Sequence, residues 1–173
     1  MSYAYYGVVF LNISESLTSA KLIPNHKFYT PSILAEDLVK RIDFDRAKVA
    51  LDPCSGKGAF FRAFPKWIAR EECEIEYDKG NFYDWNINVC WIVSNPPFDN
   101  LTKWIEHTCK YANIGFAYLL PTYAITHNRL KMIESWGFYC DEMTLIENPK
   151  EWNLGFPMAF YIFKKNGARV LRC

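Results

Sequence analysis

Apolar residues in the middle of the chain come in short uninterrupted runs: KVALD from Lys48 to Asp52, CWIV at 90–93 and GFAYLL at 115–120. Each run gives way to proline, directly or after a polar step, and runs of this kind predict strands buried on both faces. Between them the apolar period changes. In TPSILAEDLVKRI, Thr30 stands as a helix N-cap, Pro31 at the first helical position, and Leu34, Leu38 and Ile42 on one face. NLTKWIEHTCKYA puts Leu101, Trp104, Ile105 and Cys109 on a single helical stripe, and AFFRAFPKWI and THNRLKMIESW predict two more helices. CEIE at 73–76 predicts a further strand, while GFYCDEMTLIE and PMAFYIFKK predict two strands that pair as an antiparallel edge. Strands alternating with helices imply an α/β fold with a mostly parallel sheet, whose ligands sit beyond the C-terminal strand ends. Two of those ends run into DPCSGKG and NPPF.

Composition narrows the class. With 50% hydrophobic and 23% charged residues in 173, and no internal repeat or low-complexity linker, a single globular domain spanning 1–173 is expected. No apolar run approaches a membrane span, and the N-terminus lacks the basic region of a secretory signal. The six cysteines form no CxxC pair and have no His at zinc-finger spacing, which predicts reduced thiols, no metal, and a cytoplasmic location. A formal net charge of +1 restricts any nucleic-acid contact to a local cluster of cations. Candidates are Arg62, Lys66, Arg129, Lys131, Lys164, Lys165, Arg169 and Arg172.

DPCSGKG ends a strand on Asp52, supplies Gly56 and Gly58, and opens a helix, so backbone amides can approach a ligand. It is not a P-loop, because Lys57 is followed by Gly58, and it is not a GxGxxG fingerprint, because Phe61 takes the third glycine's place. In NPPF, the two prolines stop the preceding strand and hold the backbone rigid between Asn95 and Phe98.

Together these motifs resemble those of class I S-adenosylmethionine-dependent methyltransferases. DPCSGKG resembles the family's glycine loop, and NPPF the (D/N/S)PP(Y/F/W) motif of members that methylate a planar amino nitrogen. FYTP, from Phe28 to Pro31, resembles the segment that closes over the methionine end of the cofactor in DNA adenine-N6 methyltransferases. The resemblance implies a Rossmann-like class I methyltransferase fold with an antiparallel C-terminal strand. Between Glu76 and Asn81 there is no room for the usual connecting helix, so the fold is expected to be trimmed by at least one helix.

The resemblance also implies site roles. The cofactor, S-adenosyl-L-methionine, is expected against Tyr29, Thr30, Pro31, Asp52, Pro53, Cys54, Gly56 and Gly58, with Asp52 near its amino group. Its ribose falls to Glu74 or Glu76, Glu74 being preferred, and its adenine to Asn81 and Phe82, Asp84 being the fallback. Asn95, Pro96, Pro97 and Phe98 are the expected catalytic residues. The Asn95 side-chain oxygen and the Pro96 carbonyl hold the two amine hydrogens, and Phe98 stacks on a flipped or unpaired base. Trp152 and Phe156, in the turn NPKEWNLGFPM, are expected to flank that base.

The implied activity is adenine-N6 methylation of DNA, with RNA, then protein glutamine-N5 methylation, then a non-catalytic cofactor-binding subunit as alternatives. Too few residues follow Phe98 for a separate target-recognition domain, so a partner subunit is a natural source of specificity.

Overall fold

The computed structural model describes residues 28–165. Its elements in chain order are α1 (Ser32–Val39), β1 (Val49–Asp52), α2 (Ala59–Ala63), β2 (Ala69–Glu72), β3 (Val89–Ser94), α3 (Leu101–Tyr111), β4 (Ala112–Pro121), α4 (His127–Ser135), β5 (Phe138–Ile146) and β6 (Met158–Lys165). The strands form one sheet in the order β2-β1-β3-β4-β6-β5. β1 is parallel to both neighbours and β3 to β4, whereas β6 runs antiparallel to β4 and β5.

The pleat sorts side chains into two cores. Val93, Ala117, Leu119, Phe160 and Ile162 face α1 and α2, joined there by Leu38, Phe60 and Phe64. Ile92, Phe116, Tyr118, Tyr161 and Phe163 face α3 and α4, where Leu101, Trp104, Ile105, Cys109 and Ile133 cover them. Both faces of the central strands are therefore buried, which is why their sequences read as unbroken apolar runs.

Several sequence expectations shift. The second strand is Ala69–Glu72, not 73–76. It pairs only with β1, its end at Glu72 lies opposite the end of β1 at Asp52, and its side chains face mainly solvent, so it carries no apolar signature. Glu74 instead caps a 3-10 turn over Ile75–Tyr77, accepting from the Glu76 amide at 3.1 Å. Helix α1 begins after Pro31, which occupies the cap position without a side-chain bond, so Thr30 is not the N-cap. α2 stops at Ala63 because Phe64 precedes Pro65 and is held extended. Of the two C-terminal strands only β5 is an edge; β6 is inserted beside β4.

The link from β2 to β3 contains two 3-10 turns, Ile75–Tyr77 and Phe82–Asp84, and no α-helix. Phe82 fills the space, 1% exposed, with its ring 4.7 Å from those of Trp104 and His107.

Candidate active site

At the C-terminal ends of β1 and β3 a cavity of about 630 Å³ opens between the glycine loop, the segment 28–30, residues 74–76 and NPPF. That volume lies in the range of small-molecule and cofactor sites.

Asp52 organises the glycine loop from below. Its carboxylate is 1% exposed and accepts from Ser94 Oγ at 2.7 Å, from the Phe61 amide at 3.2 Å and from the Cys54 amide at 3.4 Å. Burial pushes its pKa up to about 7, against the opposing pull of those three hydrogen bonds. Gly56 and Gly58 both hold positive φ, at 51° and 75°, letting the loop turn over Asp52 into α2. From the other side, Glu74 accepts from the Gly56 amide at 2.7 Å, locking the loop to the exit of β2.

The strap Phe28–Thr30 is pinned at two points. Trp152 Nε1 donates to the Tyr29 carbonyl at 3.0 Å, and Asn95 Nδ2 donates to the Phe28 carbonyl at 3.2 Å and to Thr30 Oγ1 at 3.3 Å. The Tyr29 ring lies against Gly56, where an added Cβ would stand 3.0 Å from Cδ1, and its hydroxyl is 3.5 Å from Glu76 Oε2. Because a carbonyl only accepts, the Asn95 amide has one admissible orientation. Its Oδ1 takes no hydrogen bond among the described residues, and neither does the Pro96 carbonyl.

The expected site residues divide accordingly. Tyr29, Thr30, Cys54, Gly56, Glu74, Glu76 and all four of Asn95, Pro96, Pro97 and Phe98 line the cavity. Pro31, Asp52, Pro53 and Gly58 do not line it. Asn81 and Phe82 are not brought there: Asn81 accepts from the Tyr83 amide at 3.0 Å, Phe82 is buried under α3, and Ile75, 70% exposed, lines the cavity instead. Trp152 is a core residue, 4% exposed, and holds the strap rather than facing a base. Phe156 is half-buried with its ring edge-on to Phe98 at 6.4 Å.

Among the cations, Arg62 donates to the Lys57 carbonyl, Arg129 to Thr102 Oγ1 and the Ala124 carbonyl, and Lys164 pairs with Asp141 at 2.7 Å. Lys57 lies 4.6 Å over the Tyr29 ring. Arg169 and Arg172 lie outside the described residues. Ser55 was missed by motif reading: it lines the cavity, 7% exposed, with its buried hydroxyl unpartnered among the described residues. Its place inside DPCSGKG was the available signal. Among the described residues no group of three His, Cys, Asp or Glu side chains could hold a metal, and no helix is long and apolar enough to cross a membrane.

The sheet order and the strand-end cavity define the class I methyltransferase fold. No protein-family model and no curated protein matches the chain by sequence. Solved structures share the fold. Magnesium protoporphyrin IX methyltransferase from Synechocystis PCC 6803, solved with bound SAM, aligns at a TM-score of 0.60 and 8% identity over 78% of this chain and 79% of that one. A candidate RNA methyltransferase from Pyrococcus horikoshii aligns at 0.59 and 18% identity over 86% and 95%. The type I restriction enzyme EcoKI M protein aligns at 0.57 and 12% identity over 80% and 44%.

Proposed function

We propose that this chain is an S-adenosylmethionine-dependent methyltransferase acting on the exocyclic N6 amine of adenine in DNA, the base being flipped or unpaired. The observation that supports this most is Asn95, tethered through Nδ2 with Oδ1 unengaged, lining one cavity with the glycine loop. The residues fit the cofactor. The Ser55 hydroxyl suits its charged amino-acid end, Glu74 and Glu76 its ribose hydroxyls, and Ile75 a flat ring.

When bound, S-adenosylmethionine supplies a methyl group activated by a sulfonium. The chain's task is to make a poor nucleophile competent. Asn95 Oδ1 and the Pro96 carbonyl accept the two amine hydrogens and turn the nitrogen lone pair out of conjugation, toward the methyl. The prolines fix both acceptors in advance, so little reorganisation accompanies transfer. No side-chain base is required beforehand, because the nitrogen becomes acidic once methylated. Phe98 offers a face for the base.

RNA is the second reading, favoured by the same observation: Phe98 and the two acceptors engage a base and its amine whatever sugar carries them. Incubating the protein with methyl-labelled cofactor and mixed DNA, RNA and protein, then analysing nucleosides by mass spectrometry, tests both. N6-methyladenine in DNA is the expected product; label only in RNA selects the second reading, and label only in protein overturns both.

A further inference from the structure

Tyr123 is an aromatic residue left 64% exposed, in the turn after the central strand β4. Its backbone is not loose. The neighbouring Thr122 donates its amide to the Pro157 carbonyl at 3.1 Å and accepts from the Tyr161 hydroxyl at 2.9 Å, which ties the turn to β6. The Tyr123 ring stands edge-to-face with Phe156, centroids 5.6 Å apart and planes at 76°. Phe156 meets Phe98 in the same manner at 6.4 Å and 70°, and its carbonyl accepts from Asn148 Nδ2 at 2.7 Å. Three rings thus run in an unbroken row from the cavity wall at Phe98 out to solvent at Tyr123. Phe98 and Phe156 pack on the core, whereas Tyr123 belongs to neither core cluster.

We propose that Tyr123 is the outer plate of a stacking platform for the base next to the target base in an unpaired nucleic-acid strand, an inference that rests on the nucleic-acid reading above. A ring held by an anchored turn presents its π surface with little entropy left to lose, and stacking tolerates any base, which suits a protein of net charge +1 whose phosphate contacts are confined to a local cluster of cations. Phe98 takes the base that reacts; Tyr123 takes its neighbour and sets how the strand enters.

The experiment compares methylation of single-stranded oligonucleotides that carry one adenine flanked by normal bases or by abasic sites, on the 5′ side, the 3′ side or both. For the wild type, an abasic site on one side raises KM about tenfold, with the larger change in KM than in kcat. Tyr123→Ala shows the raised KM with intact oligonucleotide and no further loss with the abasic one; Tyr123→Trp restores the difference and Tyr123→Leu does not. The platform is overturned if the wild type ignores the abasic sites, or if Tyr123→Ala still distinguishes them. A wild type that binds S-adenosylhomocysteine yet methylates neither oligonucleotide overturns the nucleic-acid reading itself, and the platform with it.

Discussion

Asn95 and Phe28, far apart in the chain, are joined by a hydrogen bond of 3.2 Å from the Asn95 side-chain nitrogen to the Phe28 carbonyl. One amide therefore shows two ends: its nitrogen holds the strap at the cavity, and its oxygen takes no hydrogen bond among the described residues.

Asn95→Ala is expected to lower methyl-transfer turnover by on the order of 10²–10³. Asn95→Asp is expected to fail by a different route, since a carboxylate cannot donate to the Phe28 carbonyl and repels it. Proteolysis within 28–30 should then accelerate in Asn95→Asp relative to wild type, and equal protease resistance would contradict the tether.

Asp52 sets a pH dependence of stability. Its folded-state pKa of about 7 lies above the ordinary 3.8, so its contribution is present in full below 3.8 and is lost as pH rises to about 7. Asp52→Asn mimics the protonated acid, its amide donating to Ser94 Oγ while its oxygen still accepts from Phe61. The thermal midpoint of the wild type should fall relative to that of Asp52→Asn between pH 5 and pH 8; parallel profiles would refute this.

Gly56→Ala and Gly58→Ala are expected to differ. At Gly56 the new Cβ meets the Tyr29 ring, part of the cavity wall, so S-adenosylhomocysteine affinity by calorimetry should fall about tenfold. At Gly58 the close atom is the far end of Arg62, which can swing away. The left-handed backbone cost then remains, about 1–2 kcal/mol in denaturant unfolding, together with loss of the exposed Arg62–Lys57 carbonyl bond, which water can replace.

Gly115→Ala places a methyl 2.5 Å from both the Trp91 ring and the Phe163 carbonyl, between two fully buried neighbours. Overpacking of this kind costs typically about 1–3 kcal/mol, and contact with backbone puts this site at the upper end. A urea midpoint equal to wild type would show that the strands separate there more easily than their packing implies.

How much the sequence disclosed follows from burial. β1, β3, β4 and the α3 stripe were legible because their neighbours enclose them and leave apolar runs in the text. β2 was not, because an edge strand facing solvent can be written AREE. Within the site, NPPF and the glycine loop could be read as motifs, while the roles of Trp152 and Glu74 could not. Each acts through a backbone atom distant in sequence, the Tyr29 carbonyl and the Gly56 amide, a group that every such position carries whatever its side chain, so no motif marks the partner. Tyr123 had a faint signal, an aromatic two positions after the strand-ending Pro121.

The seating of β6 between β4 and β5 makes the middle of the sheet depend on the last strand of the described residues. β4 pairs with β3 on one flank and with β6 on the other, and β5 pairs with β6 rather than β4, so a chain made only as far as β5 has no strand for that second flank. Without residues 158–165 that flank of β4 is an apolar, unpaired edge in the middle of the sheet, the kind of edge through which chains self-associate.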